Sequence, residues 1–256
     1  MDMQKIEVLN NIAHEHVRVN PSFSASLGDS VVSTVTFLTE FSDVQKEYPI
    51  LCRKNPDTDE YQAIVFFGFE KGENLYLVDV DQTAQRYPGW RADYVPAVMA
   101  RGPFSIGIQR EMVNGSEIHN PVVHIDINHP KAMGGDGKKL FLENGGNSPY
   151  LSQITKVLES INSGMQPTKL MFDAFNKHKL LEEVVLDIEF RNQEKLKIPG
   201  FKTVSATKLS QLDGVALEEL HKAGFLQAAY FMLTSMSNMR KLIDWKNQKI
   251  LAGGAN

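Results

Sequence analysis

The sequence predicts an α+β protein, with an antiparallel, β-rich N-terminal part to about residue 145 and a mostly helical C-terminal part with one hairpin over about 146–256. Two observations predict it. Before residue 145, apolar residues come in short β-branched or alternating runs, separated by Asn-Pro, Gly-Asp and Asn-Gly turns. After Asn147 the signals are helical: Ser148-Pro149 reads as a cap with a first-turn proline, and apolar residues recur at spacings of three and four. No clean linker separates the parts, so the expectation is a single two-lobed unit over 1–256.

In chain order, Val31 to Leu38 is rich in β-branched residues and reads as a strand. Thr39 to Glu47 reads as a short helix, with Thr39 or Ser42 as caps and Pro49 ending it. Tyr48 to Arg53 is a strand. Tyr61 to Glu70 is apolar on both faces, which predicts a central position in a sheet. Lys71-Gly72-Glu73 then turns into a strand over Asn74 to Val80. Phe104 to Arg110 and Pro121 to Asn128 alternate as strands, joined by a turn at Val113-Asn114-Gly115, and Lys131 to Lys138 is a glycine-rich loop. Helices are predicted from Pro149 to about Ser163, interrupted at Gly164, and from Pro167 to about His178. Leu181 to Phe190 and Lys195 to Val204 form a hairpin kinked at Pro199-Gly200. Short helices follow after Ser205 and over Ala216 to Ala223, stopped at Gly224. A last helix is predicted over Phe225 to Lys249.

The stretch from Tyr87 to Phe104 is written like no ordinary helix or strand: three prolines, two glycines, four aromatics and two arginines in eighteen residues. Pro88-Gly89 punctuates a turn, and Pro96 suits the first turn of a short helix closed by Gly102-Pro103. The rings carry large apolar areas that call for burial.

With Glu73-Asn74-Leu75-Tyr76 before it, this stretch resembles the SapC family of bacterial proteins. Their hallmark is an asparagine-aromatic strand, then Gly-Trp-x-x-x-Tyr-x-Pro, then an Arg-x-Pro-Phe-like close. The residues that carry it here are Asn74, Gly89, Trp90, Arg91, Tyr94, Pro96, Arg101 and Phe104. Gly102-Pro103 replaces the usual aromatic-proline pair, so the chain resembles a divergent member. Further similarities are Ile125-Asp126, Gly137 to Phe141, Pro199-Gly200-Phe201, and Leu220 to Gly224 with Ser235. The resemblance implies an accessory protein, from loci that also hold outer-membrane receptors, cupin-like oxygenases and flavin-dependent halogenase-like proteins. It carries no established chemistry.

Composition bounds the rest. At 256 residues the chain can bury a sizeable core, and 23% charged residues with 42% hydrophobic ones is ordinary for a globular protein. A formal charge of -4 argues against nucleic acid as a partner. One cysteine, Cys52, excludes an internal disulfide framework and a cysteine-based zinc site. Residues 1–7 hold no apolar signal core, and no apolar run is long enough to span a bilayer, so a cytoplasmic protein without direct membrane insertion is expected.

Among candidate chemistries, His124-Ile125-Asp126 puts two side chains on one strand face. Non-haem Fe(II) oxygenases present two facial ligands that way, with a third His elsewhere, here His178 or His221. The other reading is a polar strand face. Gly134 to Lys139 lacks phosphate-loop spacing. In the last helix Ala229, Met232, Met236, Met239 and Ile243 form an apolar stripe, flanked by Leu226, Tyr230 and Leu233. It serves either the protein's own sheet or a partner, a second copy or another protein, through Met232, Met236 and Met239. Two readings of function stand: a non-catalytic binding or accessory protein without cofactor, or a metal-dependent oxygenase using His124 and Asp126.

Overall fold

The computed structural model describes residues 4–80, 87–113, 116–133 and 135–253. The turn expected at Asn114-Gly115, and Gly134 of the glycine-rich loop, lie outside them. In chain order the elements are β1 (Ile6–Val8), β2 (Arg18–Val19), β3 (Ser33–Thr36), α1 (Phe41–Glu47), β4 (Ile50–Lys54), β5 (Tyr61–Phe66), α2 (Ala97–Ala100), β6 (Phe104–Val113) and β7 (Ser116–Asp126). They continue with β8 (Lys138–Lys139), α3 (Pro149–Lys177), β9 (Leu181–Glu189), β10 (Lys195–Val204), α4 (Ala206–Ser210), α5 (Gly214–Lys222), α6 (Phe225–Ser235) and α7 (Asn238–Gly253). All strand pairs are antiparallel, and the class is α+β.

The chain packs as two compact units, each made of three stretches. Unit 1 takes Met1–Ser30, Leu77–Arg91 and Ala97–Asn162. Its sheet has the order β1-β7-β6, and β2 pairs separately with β8. Phe104 lies opposite Ile125 in the β6–β7 register, and both are fully buried. They join Val19, Leu140 and Phe141 with Leu151, Ile154 and Leu158 from the first half of α3 in one apolar cluster. The 3.6-residue period of α3 supplies those last three side chains to the same side.

Unit 2 takes Val31–Tyr76, Ala92–Pro96 and Ser163–Asn256 around a five-stranded sheet of order β3-β5-β4-β10-β9. As the unbroken apolar run predicts, β5 is an interior strand, with Ala63, Ile64, Val65 and Phe66 all buried. The hairpin read in the helical part completes this same sheet, Lys202 lying opposite Cys52. Composition changes near residue 145, but the packed units do not divide there, because strand pairing joins segments far apart in sequence. The Pro199-Gly200 kink is a break in the β9–β10 register between Ile198 and Phe201, where Gly200 takes φ 88°.

Three elements differ from expectation. Asn74 to Val80 is not a strand; only Leu77 makes a bridge, with Trp90. Helix α3 runs unbroken through Gly164 and Pro167. A Cβ on Gly164 would sit 2.6 Å from Thr39 Oγ1 and 2.7 Å from Phe37 Cβ, so this glycine admits a close neighbour rather than ending a helix. Pro167 removes one amide donor, and beside it the Thr168 hydroxyl donates to the Gly164 carbonyl at 2.6 Å and accepts from the Leu38 amide at 2.9 Å. The last helix is two helices, broken at Met236-Ser237. There the Thr234, Ser235 and Ser237 hydroxyls donate to backbone carbonyls three or four residues back. Ser235 Oγ also accepts from the Ile50 amide at 2.9 Å, and Asn238 Nδ2 donates to the Gln45 carbonyl at 2.9 Å.

Candidate functional site

The site is built on the loop that follows β2. Lys131 holds this loop from both its backbone and its side chain. Its carbonyl accepts from the Asn20 amide at 2.8 Å, and its Nζ donates to the Ser22 carbonyl at 2.9 Å. Nζ also meets Asp29 Oδ1 at 3.1 Å and lies 3.9 Å from the centre of the Phe23 ring. Asp29 in turn accepts from the Ser24 amide at 2.9 Å. Both charged side chains are about 5% exposed or less. Burial pulls the Lys131 ammonium below the ordinary lysine value against the attraction of Asp29, and burial pushes the Asp29 carboxyl up against Lys131. Desolvation therefore opposes the charged pair on both sides. Held by the Ser22 carbonyl, by Asp29 and by the face of Phe23, Lys131 is a clamp on the loop.

Pro88, Gly89 and Trp90 press on the same loop. The Phe23 amide donates to the Pro88 carbonyl at 2.8 Å. Gly89 has φ 83°, and a Cβ there would stand 2.0 Å from the Phe23 carbonyl oxygen, so only glycine fits. Trp90 is 2% exposed and meets Phe23 edge-on, ring centres 5.2 Å apart. Gly137 has the same logic on the other side: a Cβ would lie 2.7 Å from the Val19 backbone.

Between these walls is a half-open pocket of about 300 Å³. Pro21, Phe23, Pro88, Ile154 and Val157 give it an apolar lining. Asn20, Tyr87, Lys131, Lys138, Tyr150 and Gln153 are its polar lining residues, and no acid lines it among the described residues. Tyr150 stands in the first turn of α3, edge-on to Phe104 with ring centres 6.5 Å apart. Burial pushes its hydroxyl up to about 12, so it stays protonated and donates.

The residues of the family pattern fall into both units. In unit 1, besides Gly89 and Trp90, Arg101 Nη1 donates to the Phe104 carbonyl at 2.6 Å, and its charge is disfavoured by burial. Arg91 is exposed. In unit 2, Asn74 Oδ1 accepts from the Tyr76 amide at 3.0 Å. The Tyr94 hydroxyl donates to buried Glu40 at 2.8 Å, the Tyr94 carbonyl accepts from the Tyr48 hydroxyl, and Pro96 is buried.

His124 and Asp126 share a strand face, as alternation requires, but serve the fold differently. A Cβ on Gly107 would lie 2.1 Å from His124 Cε1, so the imidazole covers that glycine. Asp126 Oδ1 accepts from the Lys5 amide at 3.0 Å and the Asn128 amide at 3.1 Å. His178 faces Glu219 at 3.3 Å. Among the described residues no three His, Cys, Asp or Glu side chains group as metal ligands. Cys52 is buried, its thiol pushed up to about 12 by burial and directed at the Lys202 carbonyl.

Burial separates the residues of the stripe of the last helices. Ala229 and Met232 are fully buried and Met239 is 8% exposed, so these three belong to the core of unit 2 and the two methionines offer no surface to a partner, while Ile243 is half-buried and its neighbour Leu242 is fully buried instead. Met236 sits half-buried at the break between α6 and α7.

Sequence reading singled out the stretch from Tyr87 to Phe104, of which Tyr87, Pro88, Ala100 and Gly102 line the pocket, but missed Asp29, Lys131, Lys138 and Tyr150. Lys131 stood at the edge of a glycine-rich loop, where a lysine reads as solvated. The available signal was Ser148-Pro149, which places Tyr150 in a first helical turn.

A family model described as SapC matches residues 9–242. No curated protein and no solved structure matches the chain.

Proposed function

The chain belongs to the SapC family, and from that premise we propose that it is a non-catalytic binding or accessory protein serving a surface-layer or outer-membrane nutrient-uptake system. The observation that carries the binding part is the pocket of unit 1. Its wall includes part of the family-patterned stretch, and its buried cation, Lys131, is held by Asp29 and the Ser22 carbonyl instead of facing a reaction centre. Asp126, the acid half of the alternative metal pair, accepts two backbone amides, as turn-forming aspartates do. The link to surface-layer or uptake systems rests on family association. A cytoplasmic place is part of the proposal, supported by the single free thiol. Among the described residues no helix is long and apolar enough to cross a membrane.

The test is crosslinked affinity capture of the tagged chain from its native organism, read by mass spectrometry. Enrichment of surface-layer or outer-membrane receptor components over an unrelated tagged control is the expected result. Metal analysis of the untagged protein addresses the other reading. Stoichiometric iron that disappears in a His124→Ala/Asp126→Ala variant would overturn the accessory function in favour of an oxygenase.

A further inference from the structure

Three features of the unit 1 pocket point to one ligand class. The first is its lining, mostly apolar, with the ring of Phe23 and the side chains of Ile154 and Val157. At about 300 Å³ it lies at the small end of ligand pockets, which span ~300–1,000 Å³. The second is charge. Two lysines and no acid line it among the described residues, and Asp29 neutralises only Lys131. Lys138 is exposed and has no acidic partner among the described residues. The third is hydrogen bonding. Tyr150 lines the pocket, and its hydroxyl, a donor, has no hydrogen-bond partner among the described residues. Tyr150 also belongs to the first turn of α3, where the helix dipole favours negative charge.

Resting on the reading of the chain as a binding protein, we propose that this pocket takes a small monocarboxylate bearing an aromatic ring or a short alkyl group. Its carboxylate is held by the Lys138 ammonium and the Tyr150 hydroxyl, and its apolar part lies against Phe23, Ile154 and Val157. A single negative charge matches the single unneutralised lysine. A phosphate dianion would have one lysine and one phenol for its charge, with apolar walls around its remaining oxygens, and fits poorly. An amine would meet the lysine as a like charge.

The test is calorimetric titration of the full-length protein with phenylacetate, beside phenethylamine and phenylethanol as isosteres of opposite and no charge. Saturable one-to-one binding of phenylacetate is expected, with the amine silent and the alcohol weaker. Lys138→Ala and Tyr150→Phe should each weaken phenylacetate about fivefold, and Val157→Trp should abolish binding by filling the pocket. Lys138 is exposed and phenylalanine keeps the Tyr150 ring, so both variants should melt with the parent; Val157→Trp is checked by the same melt. No phenylacetate binding to the parent overturns the proposal. So does an alcohol bound as tightly as the acid, or a full affinity retained in both Lys138→Ala and Tyr150→Phe. The ligand class then fails while the accessory reading is still decided separately by the capture experiment.

Discussion

Lys131 and Asp29 show how a polar pair can organise a loop without performing chemistry. Removing one partner strands the other in a buried setting, which typically destabilises by ~3–5 kcal/mol. Lys131→Met should therefore lower the melting temperature sharply. The double variant Lys131→Met/Asp29→Leu should recover much of the loss, because the uncompensated carboxylate is gone. Denaturant melts of the three proteins check this, and a double variant no better than the single one would mean the pair is not the source of the effect. Trp90 lies against the same loop. At 2% exposure and edge-on to Phe23, its truncation to alanine should destabilise by ~3–5 kcal/mol. An unchanged melt would place that ring outside the core. The sequence made Trp90 conspicuous through its turn-forming neighbours. It left Lys131 and Asp29 silent, because a salt bridge across about a hundred residues has no local pattern to read.

Helix α3 and the α6–α7 pair show the same limit at the level of elements. Glycine and proline read as stop signals because each weakens a helix in isolation. In α3 they have different roles that only tertiary neighbours reveal. Gly164→Ala should destabilise despite alanine's better helix propensity, since the new Cβ would meet Thr39 and Phe37 at 2.6 and 2.7 Å. Pro167→Ala should stabilise, by up to ~3 kcal/mol, since it restores an interior amide donor. Thermal melts moving in opposite directions would confirm both assignments, and a loss in both would mean that the proline shape is itself needed. The α6–α7 stripe was legible as an apolar face, and its period holds through Ala229 and Met232, but beyond the break the buried position is Leu242 rather than Ile243. The break was missed because Thr234, Ser235 and Ser237 are unremarkable in sequence, while their hydroxyls compete for helix carbonyls in the fold. Met239 itself is buried: Met239→Glu places a carboxylate at a site 8% exposed, so it should lower the melting temperature and leave the mass by light scattering unchanged.

At the scale of the molecule, much of the α+β class was legible in local signals, since the β5 run and the strand alternation of β6 and β7 depend on neighbours in sequence. The division into two units was not, since it follows from pairings such as Lys202 with Cys52. Unit 2 carries its own electrostatic anchor. Glu73, 4% exposed at its side chain, accepts from Lys246 at 3.0 Å, from Lys249 at 3.2 Å and from the Phe69 amide at 3.1 Å. Burial alone would raise the Glu73 carboxyl, but these hydrogen bonds outweigh it and hold it below the ordinary glutamate value. Burial likewise pulls Lys246 down, while bonds to Glu70 and Glu73 carry it above the ordinary lysine value. The signs then fix the pH response. A carboxyl lowered on folding contributes stability above its unfolded pKa, and that contribution fades as pH falls through the folded value. An ammonium raised on folding contributes below its unfolded pKa and fades as pH rises through the folded value. The pair therefore supports unit 2 across neutral pH and weakens toward both extremes. Glu73→Gln should lower stability at neutral pH and flatten the acid limb of the melting-temperature profile relative to the parent. Amide exchange in β5 and β10, measured through the same acid range, should follow that change. Parallel acid limbs for parent and variant would mean that other carboxylates drive the acid unfolding of this unit.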